Sequence, residues 1–174
     1  MKTDIYGDSN RPDTAHPTAV IHPSVQFKGR SIIRAGAVVG SIPFAFDIQD
    51  GHRVRRIPRK TVSVYDDVEV FEGATIDLGI EVSTILGDGA KIGQQAHVGH
   101  DAFIGNNAIV CPGARVLGYA YVGLDCYIGA GAVIKNRVTL GDRVRVGANA
   151  FVIDDVPDDC TVEGNPARII RRAL

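Results

Sequence analysis

Two of the five histidines lie three residues apart in the chain and are the side chains best suited to chemistry. His97 and His100 occur in the stretch AHVGHDAFIG, residues 96–105, and Asp101 follows His100 directly. An imidazole with a pKa near 6.5 can accept a proton at neutral pH, and a neighbouring carboxylate can orient it. The pair is therefore compatible with a general base, with two metal ligands, or with polar residues in a structural repeat.

The metal alternative fits the sequence poorly. A catalytic zinc ion takes three protein ligands, and none of the other histidines lies at ligand spacing from this pair; they are His16, His22 and His52. The three cysteines are far apart and form no CxxC pair. We therefore predict neither a metal site nor a disulfide framework.

A six-residue repeat must position these residues. Twelve aliphatic residues stand six apart from Leu86 to Val152, and the residue four further on is small or β-branched in all eleven cases. Glycine follows eight of the twelve aliphatics directly. Helices repeat every 3.6 residues and isolated strands every two, whereas a chain that alternates short strands with turns repeats every six. The pattern predicts an all-β parallel β-helix with the aliphatic side chains inside and glycine allowing the bend.

The same register occurs earlier in the chain, with two interruptions. It is visible in residues 21–39 and again in residues 64–82. Residues 41–61 interrupt it and are expected to leave the coil as a loop. A smaller irregularity separates Val82 from Leu86, where four residues replace six.

This repeat resembles the left-handed β-helix acyltransferases, in which three hexads form the three sides of an 18-residue coil. The resemblance implies the left-handed sense, which the spacing alone does not fix. We expect residues 1–15 to form an N-terminal tail, residues 16–153 the β-helix with the loop at about 41–61, and residues 154–174 a C-terminal cap. The closing segment GNPARIIRRAL is expected to end in a short helix. The family also implies a homotrimer with active sites between adjacent subunits.

In such a coil Gly118 lies about one strand spacing, roughly 4.8 Å, from His100. A peptide N–H that no side chain covers can hold the oxyanion of a tetrahedral intermediate, while His100 takes a proton from the attacking group. Asp101 can orient the ring or stabilise its charge. The catalytic set expected for acyl transfer from a thioester is therefore His100, Gly118 and Asp101.

Residues 38–138 resemble the UDP-3-O-acylglucosamine N-acyltransferases of lipid A synthesis. VVGSIPFAF and the following RIP segment resemble an insertion of that family, and GATIDLG resembles its TIDRG segment, with Asp77 placed 23 residues before His100. The resemblance implies substrate-binding roles for Asp77, Phe44 and Phe46, and we expect His97 to support them at the cleft. Two features depart from that family: its nucleotide-binding domain has no counterpart in the 37 residues before the match, and Arg137 replaces a second histidine.

Other segments resemble the amino-sugar acetyltransferases of polysaccharide and sialic-acid-type pathways. They are HPTAVIHPS near the start, VGHDAFIGNNAIVCPGARVLGYAYVG around His100, and EGNPARIIR near the end. The last resembles a segment that lies near coenzyme A, so the resemblance implies acetyl-CoA as co-substrate. The residues expected to bind it are Asn136, Arg137, Asn165, Pro166, Ala167 and Arg168.

The composition argues against two classes of binding partner. The net charge of −1 gives no overall field for nucleic acid or an anionic membrane. No apolar run approaches the roughly 20 residues that cross a bilayer, and the N-terminus lacks a signal-peptide core, so a cytoplasmic protein without membrane insertion is expected.

The sequence thus favours transfer of an acetyl or short acyl group from coenzyme A to an amino group of a nucleotide-linked sugar. This reaction would belong to surface-polysaccharide synthesis. An N-acyltransferase of lipid A type that uses acyl carrier protein is the first alternative, and a non-catalytic β-helical scaffold is the second. The acceptor sugar, the choice of amine or hydroxyl, and the role of the basic segment 53–60 as phosphate clamp or solvated loop stay open.

Overall fold

The chain winds as a left-handed parallel β-helix of about eight turns in the computed structural model, which describes residues 12–172. The strands are β1 (Thr14–Ala15), β2 (Val20–Ile21), β3 (Gln26–Phe27), β4 (Ser31–Ile33), β5 (Val38–Ser41), β6 (Phe46–Gln49), β7 (His52–Arg55), β8 (Val62–Val64), β9 (Val68–Val70), β10 (Thr75–Asp77), β11 (Thr84–Leu86), β12 (Lys91–Ile92), β13 (His97–Val98), β14 (Phe103–Ile104), β15 (Ile109–Val110), β16 (Arg115–Val116), β17 (Tyr121–Val122), β18 (Tyr127–Ile128), β19 (Val133–Ile134), β20 (Thr139–Leu140), β21 (Arg145–Val146), β22 (Phe151–Val152), β23 (Cys160–Gly164) and β24 (Ala167–Arg172). No helix long and apolar enough to cross a membrane occurs within this described part.

All of these strands except β6 and β7 form three faces. Face 1 has the order β1-β4-β9-β12-β15-β18-β21-β23-β24, face 2 the order β2-β5-β10-β13-β16-β19-β22, and face 3 the order β3-β8-β11-β14-β17-β20. Along the regular part, residues 18 apart are paired, as Val98 is with Val116. The twelve aliphatic residues of the repeat are at most 2% exposed. Burial of each stabilises the fold by about 1.5–3 kcal/mol, which fixes the register.

The glycines that follow eight of the twelve aliphatics serve close packing rather than the bend. A Cβ atom on Gly99 would lie 2.7 Å from the Gly118 nitrogen of the next coil. The left-handed backbone conformation occurs two residues after the glycine, as at Asp101 (φ 61°) and Asn107 (φ 57°). The expectation that this glycine allows the bend is therefore wrong at such positions, because the neighbouring coil is what excludes a side chain there.

The strand register reveals two insertions at the same corner. Val39 pairs with Ile76, 37 residues on, and Ile76 pairs with Val98, 22 residues on, where a regular coil has 18. Nineteen and four residues are thus added in the turns that lead from face 2 to face 3. We call this edge the insertion corner; it comprises residues 22–24, 42–61, 78–83, 99–101, 117–119, 135–137 and 153–155.

The first insertion is the predicted loop, and it contains the antiparallel hairpin β6–β7. The second insertion shows that the register predicted from the sequence is wrong after Ile76. Val82 is 55% exposed and is not a core residue, and the turn after β10 carries four extra residues rather than a shortened hexad. A valine at a multiple of six from Ile76 fits the pattern by type, although its side chain points to solvent.

The C-terminal end is a hairpin, so the predicted short helix is wrong. Strand β24 runs antiparallel to β23 and covers the last strand edge of face 1. Two β-branched residues in β24, Ile169 and Ile170, favour a strand, and the pairing satisfies backbone groups that an open edge would leave free. At the other end, β1 pairs with β4 and begins at Thr14, inside the expected tail. Residues 1–11 of that tail lie outside the described part.

Candidate active site

His100 lies at the insertion corner, in the turn after β13, and its side chain is 12% exposed. Its Nδ1 atom is 2.6 Å from Oδ2 of Asp101. An ionised carboxylate can only accept a hydrogen bond, so Nδ1 carries the proton and donates it. In the neutral ring Nε2 then has a free lone pair, which is the form that a general base requires.

Asp101 is held by the four-residue insertion. Its carboxylate accepts backbone N–H bonds from Ile80 (3.1 Å), Glu81 (2.7 Å) and Val82 (2.6 Å), and its own N–H donates to Thr84 Oγ1 (3.0 Å). Burial by itself would raise the pKa of Asp101, but the hydrogen bonds from Val82 and the other donors outweigh it and hold the pKa below its ordinary value. The carboxylate is therefore ionised at neutral pH.

The four-residue insertion thus positions the candidate base, His100, through Asp101. The N–H groups of residues 80–82 converge on the Asp101 carboxylate, and that carboxylate fixes the tautomer of His100. Sequence reasoning placed Asp101 beside His100 but missed this turn. The available signal was the break in the register after Ile76, since a break beside a candidate base marks backbone N–H groups that are free to bind it.

Gly118 lies against the imidazole, one coil further on. A Cβ atom on Gly118 would lie 2.8 Å from both Cε1 and Nε2 of His100, so only glycine leaves room for the ring. The Gly118 N–H has no acceptor among residues 12–172. The corresponding N–H groups at another corner are capped by side chains of the next coil: Asp88 N–H by Asn106 Oδ1 (3.0 Å) and Leu124 N–H by Asp142 Oδ1 (2.9 Å). The structure therefore brings the His100 imidazole against Gly118, whose N–H is open within the described part of the chain.

Tyr119 forms a wall of the site that the sequence did not predict. Its ring meets His100 edge to face, with 5.1 Å between centroids, and the Arg137 guanidinium lies 4.2 Å from its centroid on the next coil. Arg56, from the inserted loop, bonds to Glu81 at 2.5 Å and ties the loop to the four-residue turn. The loop, the turn and the imidazole are thus linked through adjoining contacts.

His97 and Asp77 form a second polar cluster. His97 lies on strand β13, on the outer side of face 2. Its Nδ1 is 2.9 Å from Thr75 Oγ1, and its Nε2 is 3.6 Å from Oδ2 of Asp77. Ser41 Oγ donates to Oδ1 of the buried Asp77 at 2.6 Å. The structure brings these two expected substrate-binding residues together.

The two phenylalanines lie on the inserted loop. Phe44 is 90% exposed and meets Phe46 edge to face with centroids 5.2 Å apart, and the Arg55 guanidinium lies 4.9 Å from the Phe46 centroid. The loop thus presents an aromatic surface at the insertion corner.

The expected coenzyme-binding residues fall into two groups on the C-terminal side of His100. Asn136 and Arg137 follow β19, and the Arg137 N–H donates to the Gly118 carbonyl (3.2 Å). The remaining four, Asn165, Pro166, Ala167 and Arg168, lie in the β23–β24 hairpin, where Arg168 is 3.9 Å from Asp154. Asp154 follows β22 at the same corner, so both groups lie along one edge of the helix.

Residues 12–172 contain no group of three or more His, Cys, Asp or Glu side chains that could hold a metal ion. His100 bonds to Asp101, whereas His97 bonds to Thr75 and lies 3.6 Å from Asp77, so the two rings face different groups.

A known protein family has the same six-residue repeat. The family model described as Bacterial transferase hexapeptide (six repeats) matches residues 83–118 and 119–154. The UDP-3-O-acylglucosamine N-acyltransferase of Methylorubrum populi is 27% identical over 142 residues, which cover 82% of this chain and 40% of that protein. The chain thus spans about two fifths of the length of the curated relatives it matches.

Two solved structures illustrate the structural similarity. The acetyltransferase domain of PglB from Neisseria gonorrhoeae, solved in complex with acetyl coenzyme A, is 26% identical with a TM-score of 0.51, over 90% of this chain and 56% of that one. The UDP-N-acetylglucosamine O-acyltransferase LpxA from Moraxella catarrhalis is 20% identical with a TM-score of 0.70, over 89% and 73% respectively. At that identity the second match shows a shared fold alone.

Proposed function

We propose that this chain, which matches the bacterial hexapeptide transferase model over residues 83–154, transfers an acetyl or short acyl group from coenzyme A to the amino group of a nucleotide-linked sugar. The observation that carries this proposal is the contact of His100 with Gly118, with Asp101 behind the ring. Direct acyl transfer requires a base beside an oxyanion donor, and His100 and Gly118 are placed to fill these two roles.

The chemistry follows from these three residues. The acceptor nitrogen attacks the thioester carbonyl while Nε2 of His100 removes its proton, and the Gly118 N–H holds the oxyanion of the tetrahedral intermediate. When the intermediate collapses, the C–S bond breaks and the imidazolium returns its proton to the leaving thiolate. Asp101 stabilises the imidazolium between these two steps.

The expected donor is acetyl-CoA. The PglB acetyltransferase domain was solved with acetyl coenzyme A, and in this chain the candidate coenzyme residues lie on one side of the base. The competing donor is an acyl carrier protein, as the similarity to UDP-3-O-acylglucosamine N-acyltransferases suggests. Arg137, which packs on Tyr119, occupies the position where that family's second histidine was expected to meet the carrier's phosphopantetheine.

The acceptor side is assigned to the cluster of His97 and Asp77. One oxygen of the buried Asp77 carboxylate accepts a bond from Ser41, while the other lies 3.6 Å from His97, beyond hydrogen-bonding distance. A sugar hydroxyl or amine can donate to that second oxygen. Phe44 and Phe46 offer a ring surface on which a sugar or a base can pack.

The first prediction is that acetyl-CoA will release thiol in the presence of an amino sugar. The assay pairs acetyl-CoA and acyl carrier thioesters, in turn, with a panel of free and nucleotide-linked amino sugars. Turnover restricted to long-chain carrier thioesters would replace the proposal with the lipid A type reaction. The absence of thiol release with every donor would favour a scaffold without catalysis.

The second prediction is a homotrimer, with each His100 facing a channel shared with the adjacent subunit. Large side chains remain 40–42% exposed on faces 1 and 3 and at the corner that joins them; they are Ile109, Tyr121, Leu124 and Tyr127. A protein that buries them in an interface gains apolar contact area. Sedimentation equilibrium is expected to give three times the chain mass of 18.6 kDa, and a monomer at micromolar concentration would contradict the shared channel.

A further inference from the structure

A cavity opens at the insertion corner on the N-terminal side of His100. It encloses about 520 Å³, and the buried Leu78 contributes to its lining. The cavity is also lined by the end of the inserted loop, with Arg59, Lys60 and Thr61, and by His22 from the first coil. A volume of this size is in the range of sites that bind small molecules.

The charge in this cavity is not neutralised. Neither Arg59 nor Lys60 forms an ion pair with any residue in the range 12–172, and no Asp or Glu lines the cavity. In contrast, Arg56 of the same loop pairs with Glu81 and Asp47. Two adjacent cations that face a cavity without a carboxylate raise the local concentration of anions.

His22 adds a neutral donor to the lining, and two further bonds fix the walls of the cavity. Nδ1 of His22 accepts the backbone N–H of Ser24 at 3.2 Å, so in the neutral ring the proton is on Nε2, which is a donor. Thr61 Oγ1 bonds to the Ser24 carbonyl, and the Lys60 N–H donates to the Gly79 carbonyl at 3.0 Å. These bonds tie the end of the loop to the first coil and to the four-residue turn, so the cavity has fixed walls.

The cavity lies beside His100, on the N-terminal side of its coil. Ile76 pairs with Val98, so Leu78 and His100 each lie two residues beyond a paired position in adjacent coils, about 4.8 Å apart along the helix axis. Gly118 and the candidate coenzyme residues lie on the opposite, C-terminal side of His100. A donor on one side leaves the other side for the acceptor.

We propose that this cavity binds the diphosphate of the nucleotide-linked acceptor, through Arg59, Lys60 and His22. The assignment rests on the proposed function for the acceptor class. An arginine fork and a lysine charge together suit the several oxygens of a diphosphate, and Ile42 and Pro58 in the lining add apolar surface beside them. Coenzyme A also contains a diphosphate, and the position N-terminal to His100 favours the acceptor as its source.

The test uses inorganic pyrophosphate as the probe, in calorimetric binding and as an inhibitor of turnover. Pyrophosphate is expected to compete with the nucleotide-linked acceptor and not with acetyl-CoA. The double variant Arg59→Gln with Lys60→Gln is expected to weaken pyrophosphate binding and to raise KM for the nucleotide-linked acceptor by at least about tenfold, because two charge-assisted contacts are lost. KM for acetyl-CoA and for the free amino sugar should stay within about twofold.

The matched control is Arg53→Gln. Arg53 belongs to the same loop, is exposed, and forms no ion pair within the part of the chain that the structure describes, but it does not line the cavity. An equal loss in Arg53→Gln, unchanged pyrophosphate binding in the double variant, or competition with acetyl-CoA would each overturn the assignment.

Calorimetry separates this proposal from the proposed function, because binding needs no turnover. Pyrophosphate binding that depends on Arg59 and Lys60 in a protein that transfers no acyl group would keep the anion site and reject the reaction. An active enzyme whose KM values do not depend on these two residues would keep the reaction and reject the anion site.

Discussion

Replacement of His100 by alanine is expected to lower kcat by about 10²–10⁴-fold, the usual contribution of a general base. Nε2 has a free lone pair because Nδ1 donates to Asp101, and no other imidazole lies against Gly118. KM for acetyl-CoA should change little, since the candidate coenzyme residues lie on other coils. Steady-state kinetics of thiol release, with the purified full chain, measure both quantities.

Two comparisons distinguish loss of the base from loss of structure. Added imidazole should restore part of the activity of His100→Ala, because the removed ring leaves space beside Gly118. Gly118→Ala should reduce kcat with His100 still present, because the new methyl group would lie 2.8 Å from Nε2 and must displace the ring. His16→Ala is the control, since the exposed side chain of His16 bonds to Thr18 alone among residues 12–172. Unchanged turnover in His100→Ala would reject the mechanism.

The core and the contact between His100 and Gly118 could be predicted because both follow from one period. Twelve aliphatics six apart fix which side chains point inward, and a coil of 18 residues brings Gly118 against His100. Residue type and spacing carry that information directly. Only the left-handed sense had to come from the resemblance to a known family.

The surroundings of the site could not be predicted, because they depend on where the coil departs from its period. Val82 fits the aliphatic pattern by type but is exposed, and this misplaced the four-residue insertion. His97 meets Thr75, its register partner 22 residues earlier, and nearby Asp77, and no regular 18-residue offset brings those residues together. The C-terminal hairpin depends on the free edge of face 1, which is a property of the assembled sheet and not of its own sequence.

Asp101→Asn is the variant that tests whether the insertion positions the base, and it is expected to reduce both activity and stability. Asparagine tolerates the left-handed backbone of this position (φ 61°), so the turn itself is not strained. The amide NH₂ group cannot accept the bonds that one carboxylate oxygen accepts, and it would donate to Nδ1 of His100. The ring would then carry its proton on Nε2 and lose its basic lone pair.

The expected decrease in kcat is about 10²–10⁴-fold, with KM for acetyl-CoA little changed, since the effect acts through His100. The free energy of unfolding should fall by about 1–3 kcal/mol at neutral pH, because a buried N–H of the turn 80–82 loses its acceptor. The pKa of Asp101 is held below its ordinary 3.8. Its contribution to stability is therefore complete above pH 3.8 and is lost as the pH falls through the lower folded-state pKa, so the difference between the two proteins should narrow in acid.

Asp125→Asn is the matched control. Asp125 has the same left-handed backbone (φ 53°) at the equivalent position of another corner, but it is exposed and accepts a side-chain bond only from Asn107. Its replacement should change stability by less than about 0.5 kcal/mol and leave kcat unaltered. Hydrogen exchange supplies the direct measurement: the amides of Ile80, Glu81 and Val82 should exchange faster in Asp101→Asn and not in Asp125→Asn. If those amides stay protected while kcat falls, the carboxylate acts on His100 alone and the insertion does not position the base.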